Sequence, residues 1–248
     1  MACPRRAARR TGSSEDGGPR CAGPPTATHA QDRPMNRTRI KICGLTREAD
    51  VDAAVEAGAD ALGFVLYERS PRHVPLERAA SLAARLPPFV TPVLLFVNAE
   101  PPAVHAARAA MPQAWFQFHG DEDAAQCDAA GHPYFRAARM AAGFDLLDFA
   151  DRFPRARALL LDAHVDTYGG SGKGFDWSLI PPNVNRPVVL SGGLNPANVT
   201  DGVLRVRPWA VDVSSGVEAA KGVKDAALMH RFCQAVREAD ARREDAVA

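Results

Sequence analysis

Four stretches of this 248-residue chain carry groups able to do chemistry. Two are small-residue turns, Ser191-Gly192-Gly193-Leu194 and Ser214-Ser215-Gly216-Val217. Glycine lets the backbone approach a ligand closely and adopt positive φ, so successive N–H groups can converge on an anion such as phosphate. The other two stretches end in a thiol and a carboxyl. Cys43 closes the run Arg39–Cys43, in which strand alternation puts Arg39, Lys41 and Cys43 on one face and Ile40 and Ile42 on the other. A free cysteine is most often an inert small hydrophobe. Lys41, two residues earlier on the same face, is a placement that favours thiolate. Asp162 ends the apolar run Leu159-Leu160-Leu161, where a carboxyl is seldom left without a partner or a task. On that residue alone, a loop-bracing or capping Asp fits equally well.

The elements that must position these groups follow from the pattern. From Arg39 onward, short β-branched or apolar runs alternate with Ala-rich amphipathic ones, the signature of parallel strands joined by helical crossovers. The strands expected are Arg39–Cys43, Ala61–Leu66, Val93–Val97, Ala114–Phe118, Tyr134–Ala138, Ala158–Asp162, Pro187–Leu190 and Trp209–Val213. Helices are expected at Glu48–Ala57, stopped by Gly58, at Leu76–Leu86, stopped by Pro87-Pro88, and at Asp121–Ala130, stopped by Gly131. A last helix over Asp225–Ala239 places Leu228, Phe232, Ala235 and Val236 in one apolar stripe. Eight such units in residues 37–248 predict one α/β domain, a single (β/α)8 TIM barrel rather than a doubly wound sheet.

In that fold function collects at the C-terminal ends of the strands, with phosphate commonly held after strands seven and eight. The two glycine-bearing turns fall there, which makes Gly192, Gly193, Ser215 and Gly216 the expected phosphate site. Strand eight closes beside strand one, so Asp212 is expected to pair with Lys41 in a supporting role. Arg72, after strand two, offers a planar fork for a carboxylate, and His119 follows strand four. The run Tyr168-Gly169-Gly170-Ser171-Gly172-Lys173-Gly174 is not a nucleotide P-loop, because Thr167 and Gly174 stand where that motif needs Gly and a hydroxyl. It reads as a mobile loop able to cover the site.

Composition narrows the class. A net charge of +1 gives no field that argues for nucleic acid or an anionic membrane, and no run approaches the ~18 apolar residues of a membrane helix. Five scattered cysteines without a C-x-x-C pair suggest neither disulfides nor a zinc site, hence no metal and a reducing, cytoplasmic setting. Residues 1–36 contain no Val, Ile, Leu, Phe, Tyr or Trp and are expected to be a disordered extension. The expected partner is a small phosphorylated molecule; monomer and homodimer both stay open.

Lys41-Ile42-Cys43-Gly44-Leu45-Thr46, Gly63-Phe64-Val65, Ser70-Pro71-Arg72, Gln117-Phe118-His119-Gly120, Phe175-Asp176-Trp177, Leu190-Ser191-Gly192-Gly193-Leu194 and Val211-Asp212-Val213-Ser214-Ser215-Gly216-Val217-Glu218 occur in order at successive strand ends. Together with the glycine run they make the chain, from Arg39 to Phe232, resemble the phosphoribosylanthranilate isomerases of tryptophan biosynthesis. The resemblance implies an Amadori rearrangement by general acid–base catalysis without metal or organic cofactor. It assigns Cys43 as the base at C2 of the sugar, Asp162 as the acid at the ring oxygen, and Arg72 as the ligand of the anthranilate carboxylate. Lys41, His119 and Asp212 are left between a substrate-positioning and a structural role. The chemistry suits these types: ring opening needs a proton on the departing oxygen, and the resulting iminium acidifies the adjacent C–H for a thiolate to take.

Two rivals are weighed against this reading. The aldose–ketose isomerase of histidine biosynthesis shares the phosphate turns but has Asp where Cys43 stands. A noncatalytic phosphate-binding barrel would need the turns and neither proton carrier.

Overall fold

Eight strands, β1 (Arg39–Cys43), β2 (Ala61–Val65), β3 (Thr91–Phe96), β4 (Trp115–Phe118), β5 (Tyr134–Met140), β6 (Ala158–Ala163), β7 (Val188–Leu190) and β8 (Ala210–Val213), pair in parallel in chain order. β8 then pairs with β1, so the sheet closes into the expected barrel. This computed structural model describes residues 37–163 and 174–245, with side chains described through Arg243. The expected N-terminal extension, and the glycine run up to Lys173, lie outside the described residues.

The helices are α1 (Glu48–Ala57), α2 (Leu76–Ala83), α3 (Pro101–Ala110), α4 (Ala124–Ala129), α5 (Leu146–Arg152), α6 (Val199–Val206) and α7 (Ala226–Asp245). Each follows one strand except β6. Between β6 and β7 the described residues contain only a short 3₁₀ turn, Trp177–Leu179, where the pattern had suggested a full βα unit. The other departures concern ends and have local causes. α4 starts after Asp123, whose side chain accepts from the Gln126 N–H while Gln126 reaches back to the Asp123 N–H, so residues 121–123 stay outside the helix. The Asp225 carboxylate likewise accepts from Leu228 N, and α7 begins one residue later than expected. α3 opens with Pro101-Pro102, tolerated because the first N–H groups of a helix have no partner inside it.

Alternation sorts the side chains as the sequence suggests. Ile40, Ile42, Leu62, Phe64, Leu94, Phe96, Leu159 and Leu161 point outward into the core shared with Leu82, Val203, Phe232 and Val236 of the helices. Phe96, Phe116, Phe118 and Tyr134 form edge-on and stacked ring contacts on that outer side, with centroids 5.0–6.4 Å apart. Inside the barrel, Val93, Phe135, Ala137, Ala158, Leu160, Val189 and Ala210 fill an apolar layer. Above it Cys43, Val65, Leu95 and Val97 gather at the C-terminal mouth. The filled interior leaves chemistry to that one face.

After β8 the chain forms a small antiparallel hairpin, β9 (Glu218–Ala220) and β10 (Val223–Lys224), before entering α7. Thr46 Oγ1 donates to the Gly222 carbonyl (2.7 Å), and Lys224 N donates to Asp50 Oδ2 (3.2 Å). The hairpin is thereby fastened to the loop and helix that follow β1.

Candidate active site

The β1–β8 register sets Lys41 opposite Asp212, and the expected pair forms: Lys41 Nζ donates to Asp212 Oδ1 at 2.8 Å. Both side chains are almost wholly buried. A buried ion pair persists only where further polar groups complete it. Here Ser191, from the strand-seven turn, donates its hydroxyl to Asp212 Oδ2 (3.3 Å), and the Lys41 ammonium also lies against the Cys43 thiol. Burial would lower the Lys41 pKa, but Asp212 and Cys43 outweigh it and the ammonium is held above its ordinary value.

Gly63 of β2 makes this arrangement possible. A Cβ there would fall 2.6 Å from Cys43 Sγ and 3.1 Å from Lys41 Nζ, so any larger residue would displace the thiol or the ammonium. The expectation that Lys41 favours thiolate needs correcting in its net effect. Burial pushes the Cys43 thiol up, Lys41 pulls it back only in part, and Asp212 adds to the rise. The geometry is as read; the desolvation cost of a buried anion is larger than the single neighbouring charge.

Asp162, at the end of β6, faces the mouth, with its Oδ1 accepting from Ala163 N (2.9 Å). Its Oδ2 lies 3.2 Å from His119 Nε2, and His119 Nδ1 lies 2.9 Å from Gln117 Nε2. With the Gln117 amide donating, the proton of a neutral His119 sits on Nε2 and faces the carboxyl. The backbone around His119 is fixed from behind by Arg136, which donates to the carbonyls of Phe118 (2.9 Å), Gly120 (3.0 Å) and Glu122 (3.0 Å). Arg136 is buried and stacks over the rings of Phe149 and Phe153. Nothing in the local sequence singles it out, because its contacts are to backbone far along the chain. His119 is therefore brought to Asp162; the sequence set it after strand four and left its role open between substrate positioning and structure.

The two glycine-bearing turns abut. A Cβ on Gly216 would lie 1.9 Å from the Leu194 carbonyl oxygen, so the strand-eight turn can sit against the strand-seven turn only with glycine there. Gly192 has φ +76°, and a Cβ on it would come 2.6 Å from Ala163 N and 2.9 Å from Asp162 Oδ1. The left-handed turn thus also places this segment beside the acid-bearing strand end.

Arg72 is buried and its fork is bidentate to Glu218, Nε to Oε1 at 2.7 Å and Nη2 to Oε2 at 2.8 Å. Glu218 had entered the sequence reading only as part of the strand-eight motif. Burial would raise its carboxyl, yet the Arg72 hydrogen bonds and the nearby Lys224 hold it below the usual carboxylate range. Lys224 Nζ donates to Glu218 Oε1 at 2.8 Å and was not foreseen at all, since a lone lysine in a two-residue strand carries no local signal.

A closed barrel whose mouth gathers a thiol, a carboxyl with its histidine, and two abutting glycine turns defines a class, the (β/α)8 enzymes that act at the C-terminal ends of their strands. Residues 40–235 match the family model described as N-(5'phosphoribosyl)anthranilate (PRA) isomerase. The chain is 71% identical over 210 residues to the N-(5'-phosphoribosyl)anthranilate isomerase of Leptothrix cholodnii, covering 85% of this chain and 96% of that one. The crystal structure of phosphoribosyl anthranilate isomerase from Thermotoga maritima is 40% identical with a TM-score of 0.74, covering 81% of this chain and 99% of that chain. A further phosphoribosyl anthranilate isomerase, solved in complex with reduced 1-(o-carboxyphenylamino)-1-deoxyribulose 5-phosphate, is 38% identical with a TM-score of 0.71 over 81% of this chain and 99% of its own. This chain belongs to the N-(5'-phosphoribosyl)anthranilate isomerase family.

Proposed function

We propose that the chain catalyses the Amadori rearrangement of N-(5-phosphoribosyl)anthranilate to 1-(2-carboxyphenylamino)-1-deoxyribulose 5-phosphate, a step of tryptophan biosynthesis, with Asp162 as general acid and Cys43 as general base. The observation that carries this reading is the placement of both groups inside one barrel mouth, on β1 and β6, beside the abutting turns of β7 and β8. The turns, through Gly192, Gly193, Ser215 and Gly216, anchor the phosphate. Arg72 takes the anthranilate carboxylate at the other end.

Asp162 gives its proton to the ring oxygen as the C1–O bond breaks, leaving an open chain with a C1=N iminium. Loss of the C2 proton to Cys43 sends the C2–H electron pair into a C1=C2 bond and neutralises the nitrogen. The enolamine so formed tautomerises to the ketone, with a proton added at C1. Atoms and charge balance without an outside oxidant or reductant, and the reading calls on no cofactor. Burial makes thiolate scarce at Cys43; the iminium cation beside C2 adds to Lys41 in favouring it when the proton must be taken.

No described helix is long and apolar enough to cross a membrane. A cytoplasmic setting is proposed on five scattered cysteines without a C-x-x-C pair, of which Cys43, Cys127 and Cys233 are free and buried. For the assembled state the proposal extends to monomer or homodimer; a Thermotoga maritima relative is described as dimeric.

The test is turnover of freshly generated phosphoribosylanthranilate by the purified chain, followed spectrophotometrically, against the aminoaldose of the histidine pathway. Turnover of the first and not the second is expected. Preference for the second, or turnover of neither, overturns the proposal.

A further inference from the structure

Lys224 has no part in the proton transfers, yet its side chain is fully buried at the rim of the same mouth. Its Nζ donates to Glu218 Oε1 (2.8 Å) and to the Ser214 carbonyl (3.0 Å), and its backbone N–H is tied to Asp50. Glu218 is at once the bidentate partner of Arg72. Two cations therefore share one carboxylate, and the three side chains are each at most 8% exposed.

The charge count gives this arrangement a consequence. An Arg–Glu pair alone is neutral, and its carboxylate would repel a second carboxylate brought to the same guanidinium. A buried carboxylate is costly unless it is compensated. Burial and the Arg72 guanidinium lower the Lys224 pKa while Glu218 works to keep its ammonium; with that ammonium the cluster carries a net charge of +1. Glu218 meanwhile grips the Nε–Nη2 edge and fixes the plane of the fork, so Arg72 is oriented without being electrically spent.

We propose that Lys224 is a positioning and specificity-determining residue: by sharing Glu218 with Arg72 it leaves the oriented guanidinium with uncompensated charge for an aryl carboxylate. The inference rests on the reading of Arg72 as the carboxylate ligand.

The experiment compares wild type, Lys224→Met, Lys224→Arg and Arg72→Ala on two substrates, phosphoribosylanthranilate and the N-phenyl analogue that lacks the carboxylate. Both substrates carry the phosphate, so damage transmitted through Ser214 to the phosphate turns would affect them equally. Lys224→Met is expected to raise KM for the carboxylated substrate about tenfold, the scale of one unit charge roughly 10 Å away at an effective dielectric of about 20. Its kcat should change far less, the analogue's KM should stay near the wild-type value, and Lys224→Arg should retain discrimination. An unchanged KM, or an equal rise for both substrates, overturns the proposal. If Arg72→Ala abolishes discrimination while Lys224→Met does not, only the role of Lys224 fails; if Arg72→Ala leaves discrimination intact, the carboxylate reading fails with it. Should Lys224→Met be unstable, Glu218→Gln/Lys224→Met restores the net charge to +1. Discrimination close to the wild-type level supports the charge argument, whereas its loss contradicts it.

Discussion

Cys43 shows how a correct placement can carry the wrong energetic sign. Strand alternation put the thiol inside the barrel with Lys41, and both are there. Local spacing could not reveal how deeply the two are buried, and that burial, together with the Asp212 that the sequence did set beside the lysine, pushes the thiol up. Cys43 should therefore be alkylated by iodoacetamide more slowly than a model thiol at pH 8, with the rate rising as pH climbs past the ordinary thiol range. Removing the lysine alone would strand a buried carboxylate, at a cost of about 3–5 kcal/mol. The informative variant is Lys41→Met/Asp212→Asn: with the larger, favourable charge gone, alkylation should slow further. Mass-spectrometric rates at Cys43 across a pH series check both statements, and faster alkylation in the double variant would contradict them.

At the scale of elements, the site is made by pairs of segments that are distant in sequence. β1 and β8 set the Lys41–Asp212 pair, and the turns after β7 and β8 interlock through Gly216 and Leu194. Strand order and the location of the two glycine-bearing turns were legible because periodicity and glycine placement are local signals. The bidentate grip of Glu218 on Arg72, the Arg136 contacts behind His119 and the Lys224–Glu218 pair were not, because each is a side-chain contact to another segment that leaves no mark on the local pattern of either. Among the described residues between β6 and β7, Pro181-Pro182 and the short turn at Trp177–Leu179 stand where the other crossovers carry an amphipathic run. Gly216→Ala tests the interlock. Its methyl cannot fit 1.9 Å from a carbonyl oxygen, so the turns must part. Overpacking of this kind typically costs about 1–3 kcal/mol, roughly a two- to tenfold loss of phosphate-end affinity if half of it falls on the site. KM for substrate and Ki for inorganic phosphate should rise together; a KM rise without a change in phosphate affinity would place the turns' task elsewhere.

For the whole molecule, the barrel separates stability from chemistry. An apolar interior layer and an outer helix-facing core hold the strands, while Cys43, Asp162 with His119, and the Arg72–Glu218 pair stand at the mouth. The account's central claim is that two of those groups, three strands apart around the closed order, carry the two proton transfers on one bound sugar. Its direct measurement is kcat for purified Cys43→Ala and Asp162→Ala alongside the dissociation constant of the reduced product analogue for each. General acid and base catalysis each contribute typically 10²–10⁴-fold, so kcat should fall by about that factor in both variants while analogue binding stays within a few-fold of wild type. Near-normal turnover in either variant would contradict the account.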